Sequence, residues 1–303
     1  MNTGQIGVNL VHPEMDEEEF YTRDGYFQVL EQYRRYAGMI HCLEYSHVVN
    51  LSPEDAELVG KRSREYGFLP WSIHSEHLNE GTGVEQYLRM QKHEAEVCAA
   101  LGCRVMVCHL PNLRPYVDLE RDLEIMGRVA DLAHSCGVAL ALETCGYSEG
   151  EHAFLSDADL VIRVVDALNR EDVGINLDSG HCLLGQTEKN PRILARMLAG
   201  EVPQSLPALT ERIGKRLFTT HLQDNFGLND DHQAPGIGYL DWPALIPAIR
   251  NTGYSGPLMV ELTGNQVKAR RSVRQMRSFS LEKEILLAAA YLHFLDTRKG
   301  EPS

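Results

Sequence analysis

The sequence predicts an α/β protein that folds as a single-domain (β/α)8 TIM barrel over residues 1–303, and two observations support this fold class. Short runs rich in Val, Ile and Leu recur along the chain, each separated from the next by a helix-length amphipathic segment. The runs are nearly continuously apolar rather than alternating, as expected for parallel strands covered on both faces. Eight such units favour a closed barrel over a doubly wound sheet, whose common forms use fewer strands.

The individual elements follow from local patterns. Ser52 is placed to cap a helix that has Pro53 at its first position, Gly38 ends another helical pattern, and Gly137 follows the end of a third. Extra length falls in residues 182–216 and 265–280, and no linker rich in Pro, Gly or Ser divides the chain. The predicted strands are residues 6–11, 39–45, 69–75, 103–110, 138–145, 173–181, 217–225 and 257–264. The predicted helices are residues 24–38, 52–67, 83–101, 118–136, 156–170, 241–253 and 281–295.

Composition limits the classes of partner and compartment. The formal net charge of −14 disfavours broad binding to nucleic acid or to an anionic membrane surface. The seven cysteines form no CxxC pair, and residues 1–20 lack the pattern of a signal peptide, so we expect reduced thiols in the cytoplasm. The longest apolar run, residues 285–295, is too short to span a membrane. We expect a cytoplasmic homo-oligomer that binds a small molecule.

Acidic and imidazole side chains stand at the ends of the predicted strands. Barrel enzymes carry their chemistry at the carboxyl ends of the strands. Acidic residues and histidines make up about one residue in five, so their presence at seven consecutive strand ends is improbable by chance. From the second strand to the eighth, these residues are Glu44, His74, His109, Glu143, Asp178 with His181, His221 and Glu261.

A ring of carboxylates and imidazoles inside a barrel mouth is costly unless it is paired or binds a metal ion. Four of these residues, Glu143, Asp178, His221 and Glu261, end apolar strands and have no simple packing explanation. Three carboxylates with one imidazole suit Mn²⁺ or Mg²⁺, whereas further histidines favour Zn²⁺. The sequence therefore predicts one divalent ion, with Mn²⁺ favoured and Mg²⁺, Co²⁺ or Zn²⁺ as alternatives.

Other polar residues have simpler explanations when each is taken alone. Taken alone, His74 and His109 are better explained as satisfied core or capping residues, and Glu44, the weakest member, is explained as the partner of an Arg or Lys. Asp224 is placed to stabilise the turn after the seventh strand. Trp71, near a strand end, is a candidate for stacking on a sugar ring. The histidines on predicted loops or helices, His77, His93 and His134, are interpreted as structural or solvated.

Five motifs carry a resemblance that covers nearly the whole chain. They are LALET (140–144), NLDSGHC (176–182), HLQDN (221–225), DDHQAPGIGYLDW (230–242) and GYSGPLMVEL (253–262). With them the sequence resembles the xylose isomerase-like barrel superfamily, which includes ketose 3-epimerases, hydroxypyruvate isomerases, keto-inositol dehydratases and endonuclease IV. The motifs point strongly to the superfamily and weakly to any one member.

The resemblance to the sugar epimerases implies roles for individual residues. Glu143, Asp178, His221 and Glu261 would hold the metal, and the first and last of these would also move the substrate proton. His181 and Glu149 would contact the substrate. One position departs from the epimerases, which carry an Arg six residues after the metal-binding His, where this chain has Gly227.

The resemblance to endonuclease IV implies a larger, three-zinc site. All nine residue types of that site are present in order, but the stretch HSEHLNEG after the third strand lacks that family's tyrosine. The additional candidates for metal or substrate contact are His74, His109, His181, Asp230 and His232.

The expected activity is isomerisation or epimerisation of a ketose or keto-sugar derivative, by carboxylate-mediated proton transfer through a metal-bound enediolate. The same site could serve a dehydratase or lyase acting on a keto-sugar or keto-inositol. An endonuclease IV-like zinc phosphodiesterase and a non-catalytic binding barrel are further alternatives. The basic segment 268–278 is interpreted as a solvated helix or subunit contact, with a clamp for phosphate or carboxylate as the alternative.

Overall fold

Eight parallel strands form one sheet that closes into a barrel. The structure, a computed structural model, describes residues 4–11, 21–113, 118–144, 158–184, 198, 205–227, 230–262 and 274–298. The sheet order is β7-β6-β5-β4-β3-β2-β1-β8, and a parallel bridge between Leu222 and Val260 joins its two edges. The strands are β1 Ile6–Asn9, β2 Cys42–Ser46, β3 Leu69–His74, β4 Val105–Cys108, β5 Ala139–Glu143, β6 Val173–Asp178, β7 Leu217–His221 and β8 Leu258–Val260. The predicted (β/α)8 TIM barrel is confirmed.

Helices lie between the strands, largely where the sequence predicts them. Ser52 caps α2 by accepting a hydrogen bond from the Asp55 backbone N–H at 3.1 Å, with Pro53 in the first turn as predicted. The short helices α6 and α7 were not predicted. The helices are α1 Arg23–Tyr33, α2 Pro53–Glu65, α3 Val84–Leu101, α4 Leu119–Ser135, α5 Ala158–Leu168, α6 Ser179–Leu184, α7 Leu206–Ile213, α8 Trp242–Asn251 and α9 Arg274–Thr297.

The sixth strand is shorter than predicted. The sequence predicts one strand over residues 173–181, but β6 ends at Asp178 and α6 begins at Ser179. The Asp178 side chain accepts a hydrogen bond from the His181 backbone N–H at 2.6 Å, which is the interaction of a helix cap. A helix therefore begins at the strand end and carries His181 back over the barrel mouth.

The core has two parts. The larger part lies between the strands and the surrounding helices. A small separate cluster consists of Val105, Val107 and Ala141, with Phe218 packed against it. Ala141 is two residues before Glu143 in β5, so both side chains are on the same face of the strand. Among the described residues, no helix is long and apolar enough to cross a membrane.

Candidate metal centre

Four predicted ligands converge at the carboxyl end of the barrel. Glu143, Asp178 and His221 are the last residues of the adjacent strands β5, β6 and β7, and Glu261 directly follows β8. Each offers one ligand atom, and these atoms all lie within 4.8 Å of one another. All four side chains are buried. We call these residues the buried quartet.

Glu44 lies directly behind His221 in this quartet. The Nε2 of His221 lies 2.8 Å from Oε1 of the fully buried Glu44, whose Oε2 accepts a hydrogen bond from Ser72 at 2.6 Å. The Nδ1 of His221 faces Glu143 Oε2 at 3.1 Å and Glu261 Oε2 at 3.4 Å. A carboxylate behind a histidine fixes the ring so that the other nitrogen can coordinate a metal ion. Glu44, the weakest candidate in the sequence, therefore pairs with a predicted ligand.

A second group lies beside the quartet. His181, Asp230 and His232 offer ligand atoms within 4.8 Å of one another. Asp230 Oδ2 lies 3.2 Å from His181 Nε2 and 2.8 Å from His232 Nε2. The other ring nitrogen of His181, Nδ1, lies 3.0 Å from Glu143 Oε1, which joins this group to the quartet.

A third group lies on the other side of Glu143. The Nε2 atoms of His74 and His109 are 3.2 Å apart, and each is 3.4 Å from Glu143 Oε2. The ring of His77 stacks on His109 with 4.1 Å between centroids. Glu143 is thus the common neighbour of three groups. His77, interpreted from the sequence as structural or solvated, was missed as a neighbour of the site.

Burial and close charges set the state of the carboxylates. Burial alone would raise the pKa of Glu143, but His109 and His221 hold that pKa well below its usual value. The pKa of Glu261 is also lowered, because His221 and His232 outweigh its burial. Burial and the neighbouring carboxylates instead raise the pKa of Asp178 to about 8. The site therefore holds two ionised glutamates beside a third acid that favours its proton.

The buried carboxylates raise the pKa values of several neighbouring histidines, which favours the positively charged form of their rings. Burial alone would lower the pKa of His221, but Glu44, Glu261 and Glu143 raise it well above its usual value. Neighbouring carboxylates likewise raise the pKa of His74 and that of His232 to about 9, despite burial. Protonated imidazoles thus supply the positive charge that the buried carboxylates require, a charge that a divalent cation can supply in their place.

Unpartnered polar atoms point to the same conclusion. A buried donor or acceptor without a partner costs about 1–3 kcal/mol, so such atoms are rare in folded proteins. In the described part of the chain, several buried atoms at this site lack a hydrogen-bond partner of good geometry. They include Glu44 Oε1, Glu143 Oε1, Asp178 Oδ2, His181 Nδ1, both ring nitrogens of His221, His232 Nδ1 and Glu261 Oε2. Carboxylate oxygens and imidazole nitrogens are ligands of divalent metals, so these residues fit such an ion.

The loop that carries Asp230 and His232 is organised by Asp224. Its carboxylate accepts hydrogen bonds from the Trp242 indole at 2.7 Å, the Gly236 N–H at 3.1 Å and the Leu240 N–H at 3.2 Å. His232 has φ 45°, a left-handed conformation that is costly for a residue other than Gly. These contacts agree with the expected turn-stabilising role of Asp224, and two backbone hydrogen bonds of 2.8 Å join Asp224 to Gln233, the residue after His232.

Other predicted site residues lie elsewhere. Trp71 is three residues before His74 in β3, and its indole donates to the Thr219 hydroxyl of β7 at 3.2 Å. Its contact with a sugar ring stays a prediction. Glu149 lies outside the described residues, as do the side chains of the basic segment 268–278.

Comparison with known proteins places the chain in a family. The xylose isomerase-like TIM barrel family matches residues 35–279 of the chain. An uncharacterised Sinorhizobium fredii protein, y4fM, is 30% identical over 195 residues, which are 59% of this chain and 52% of that protein. The inosose isomerase of Bacillus subtilis is 24% identical over 191 residues, or 59% of this chain and 61% of the enzyme. The chain thus spans between half and two thirds of the length of these relatives.

Solved structures share the fold over nearly the whole chain. The IolI protein with a bound zinc atom has a TM-score of 0.70 at 17% identity, covering 97% of this chain and 100% of that one. The D-allulose 3-epimerase from Methylomonas sp., in complex with D-allulose, has a TM-score of 0.67 at 17% identity, covering 99% and 98%. At these identities the likeness shows the fold alone. The family match over residues 35–279 shows that the chain belongs to the xylose isomerase-like TIM barrels.

Proposed function

We propose that the protein is a metal-dependent isomerase or epimerase of a ketose or keto-sugar derivative. The observation that carries this proposal is the buried quartet, with four ligand atoms within 4.8 Å at the carboxyl end of the barrel. The printed activities of relatives, inosose isomerase and D-allulose 3-epimerase, support a sugar-type substrate. A dehydratase or lyase reaction on a keto-sugar or keto-inositol is the variant that would use the same site.

The quartet would hold a divalent ion. Its three carboxylates and one imidazole suit Mn²⁺, and the zinc bound by the IolI protein makes Zn²⁺ the next candidate. Such an ion would polarise a substrate carbonyl and acidify the adjacent C–H bond. Glu44 would keep the Nδ1 of His221 turned toward it, because the 2.8 Å contact occupies Nε2.

Glu143 and Glu261 would move the proton. Their lowered pKa values keep both carboxylates ionised near neutral pH, which is the form a general base requires. Glu143 ends β5 and Glu261 directly follows β8, and their Oε2 atoms lie 3.1 Å and 3.4 Å from Nδ1 of His221. Two carboxylates that approach one carbon from different directions can remove its proton on one face and return a proton on the other. Return of the proton to the adjacent carbon would give an isomerase instead.

Deuterium exchange tests this proposal. Ketohexoses and keto-inositols would be incubated with the metal-loaded protein in D₂O, and deuterium at the carbon beside the carbonyl would be followed by NMR. We expect exchange with the unaltered protein, its loss in Glu143→Gln and Glu261→Gln, and its retention in Glu57→Gln, a change at an exposed glutamate of α2. Exchange that persists in both site variants would overturn the assignment of the proton-transfer residues.

A second candidate, phosphodiester hydrolysis at abasic DNA, is favoured by one specific observation. All nine residues of the endonuclease IV pattern lie in three neighbouring groups around Glu143. Clustered zinc ions at such a site would activate water and bind the leaving oxygen. The net charge of −14 opposes broad DNA binding. Cleavage of an abasic duplex by the zinc-loaded protein, without deuterium exchange into any ketose, would favour this candidate over the isomerase.

A further inference from the structure

We propose that Asn176 is a positioning residue that holds the Glu143 carboxylate in the orientation needed for both of its proposed roles, binding the metal ion and moving the substrate proton. Asn176 begins the NLDSGHC motif, but it is neither a predicted metal ligand nor a predicted substrate contact. The inference rests on the proposed function for the proton-transfer role of Glu143. It adds a residue that would act on the reaction through that glutamate.

Asn176 adjoins the buried quartet from the side of the barrel interior. It is two residues before Asp178 in β6, so the two side chains are on the same face of the strand. Its register partners are Glu143 of β5 and Thr219 of β7. A register shift between β6 and β7 sets Asp178 opposite His221, one step further along both strands. Asn176 therefore lies one layer beneath the quartet.

The Asn176 side chain contacts Glu143 directly. Its Nδ2 donates a hydrogen bond to Glu143 Oε2 at 3.1 Å, and the two residues are only 0% and 1% exposed. An ionised carboxylate can only accept, so the amide nitrogen rather than the amide oxygen must face it. The terminal torsion of a glutamate has broad preferences of its own. A buried hydrogen bond to a charged acceptor is strong enough to restrict that torsion.

The held orientation gives the two oxygens of Glu143 different neighbours. Oε2, which accepts from Asn176, also lies 3.1 Å from Nδ1 of His221. Oε1 lies 3.0 Å from Nδ1 of His181 and has no hydrogen-bond partner of good geometry in the described part of the chain. One oxygen thus faces a predicted metal ligand, and the other faces the predicted substrate contact. The hydrogen bond to Oε2 keeps the carboxylate in this arrangement.

Packing alone does not explain an amide at this position. Asn176 Oδ1 is buried and, among the described residues, has no hydrogen-bond partner, which is unfavourable for folding. The neighbouring interior is apolar, because Ala141, on the same face of β5 as Glu143, belongs to the cluster with Val105 and Val107. An apolar side chain would therefore suit the stability of the fold at least as well. The hydrogen bond to Glu143 is the contact that accounts for the amide.

The metal affinity of Asn176→Leu tests the inference. Leucine branches at the same carbon as asparagine but has no hydrogen-bond donor. We expect the dissociation constant of the full-length protein for Mn²⁺ or Zn²⁺, measured by competition with a chromophoric chelator, to rise about 10- to 100-fold, as for other residues that hold a metal ligand. Because the unpartnered amide oxygen is also removed, the midpoint of urea unfolding of the metal-free protein should not fall.

Val105→Ala is the matched control for a change in the barrel interior. Val105 begins β4, whereas Glu143 ends β5, and the substitution removes buried methyl groups without removing a hydrogen bond. We expect this variant to lower the urea midpoint and to leave the dissociation constant for the metal unchanged. The two variants should therefore show opposite patterns of stability and metal affinity.

Deuterium exchange at saturating metal tests the proton-transfer role. With a ketose or keto-inositol that the unaltered protein exchanges, Asn176→Leu should lower kcat at least about tenfold. The KM should change little, because a misplaced base weakens the transition state rather than the binding of the substrate. A rise in KM with an unchanged kcat would contradict this role.

The outcomes separate this inference from the proposed function. If the unaltered protein exchanges deuterium, and Asn176→Leu keeps both its metal affinity and its kcat, the inference is overturned and the proposed function stands. Parallel losses of stability and metal affinity in Asn176→Leu and Val105→Ala would show that Asn176 is merely structural, which also overturns the inference. If the unaltered protein exchanges no substrate, the proposed function fails. A raised dissociation constant in Asn176→Leu would then still support its hold on Glu143, and an unchanged one would refute it.

Discussion

Glu44 shows how one buried contact gives a residue its role. Its carboxylate is fully buried between the Ser72 hydroxyl, 2.6 Å away, and the His221 ring, 2.8 Å away. A glutamate in such a position would be costly without these partners. The other ring nitrogen of His221 faces Glu143 and Glu261 in the quartet. Glu44 would therefore act on the proposed metal through His221.

We expect Glu44→Gln to weaken metal binding about 10- to 100-fold, the range found for partners behind a metal-binding histidine. Glutamine keeps the shape of the side chain but loses the charge that raises the basicity of the His221 ring. The dissociation constant for Mn²⁺ or Zn²⁺, measured by competition with a chromophoric chelator, checks this expectation. Glu57→Gln is the control at an exposed position. An unchanged dissociation constant in Glu44→Gln would remove Glu44 from the site.

Asp178 combines two roles that substitutions can separate. Replacing Asp178 or Glu261 by Ala should abolish metal binding by the quartet while the protein stays folded. Asp178→Ala also removes the acceptor for the His181 N–H, a cap worth about 1 kcal/mol. Asp178→Asn keeps an acceptor but loses the charge, so it should lose the metal with less loss of stability. Elemental analysis and urea unfolding check both effects, and metal content equal to that of the unaltered protein would refute the assigned quartet.

At the scale of elements, a buried acid in α3 holds the loop after β3. Burial raises the pKa of Glu94 to about 8, although its hydrogen bond from the Glu76 N–H opposes this shift. The folded protein therefore keeps a proton on Glu94 that the unfolded chain loses near pH 4.5. The contribution of Glu94 to the unfolding free energy is fully present below pH 4.5 and is lost as the pH rises through about 8.

We expect Glu94→Gln to reduce this pH dependence. The unaltered protein should lose up to about 1.4 kcal/mol of unfolding free energy per pH unit between the two pKa values because of Glu94. The variant should lose less over the same interval, because glutamine does not titrate. Urea unfolding between pH 5 and pH 9 measures the difference. Parallel pH profiles for the two proteins would show that Glu94 is not the titrating group.

At the scale of the whole molecule, barrel closure makes the site. Glu143 and Glu261 are far apart in the chain, and the ring of parallel strands brings both to the same end around His221. Protonated histidines offset part of the electrostatic repulsion among these buried acids, as the raised pKa values of His221 and His232 indicate. A bound divalent cation should therefore stabilise the folded protein as a whole.

We expect saturating Mn²⁺ or Zn²⁺ to raise the melting temperature of metal-free protein. A ligand at a hundred times its dissociation constant adds about 2.7 kcal/mol of stability when it binds the folded state alone. Differential scanning calorimetry of the metal-free and metal-loaded protein measures the effect. The rise attributable to the quartet should be absent in Asp178→Asn. An identical rise in that variant would place the stabilising ion elsewhere.

The sequence by itself determined the eight strands, seven of the helices, the cap at Ser52 and the positions of the quartet residues at the strand ends. These features depend on local periodicity, on capping chemistry and on the rule that parallel strands present their carboxyl ends together. The extension of the barrel over all residues 1–303 and the roles of individual site residues stay predictions. Each of the features that the sequence determined is set by residues that lie within a few positions of one another in the chain. Local sequence patterns are therefore sufficient to predict them.

Only the tertiary structure decided which side chains meet across the barrel. A register shift pairs Leu43 with Pro70 but Glu44 with Ser72, which leaves Trp71 as an extra residue in β3. A shift of one residue changes which face a strand side chain occupies. The contact of Glu44 with His221 and the stacking of His77 on His109 likewise join residues distant in the chain. Such contacts depend on strand register and barrel closure, which no local pattern of residues encodes.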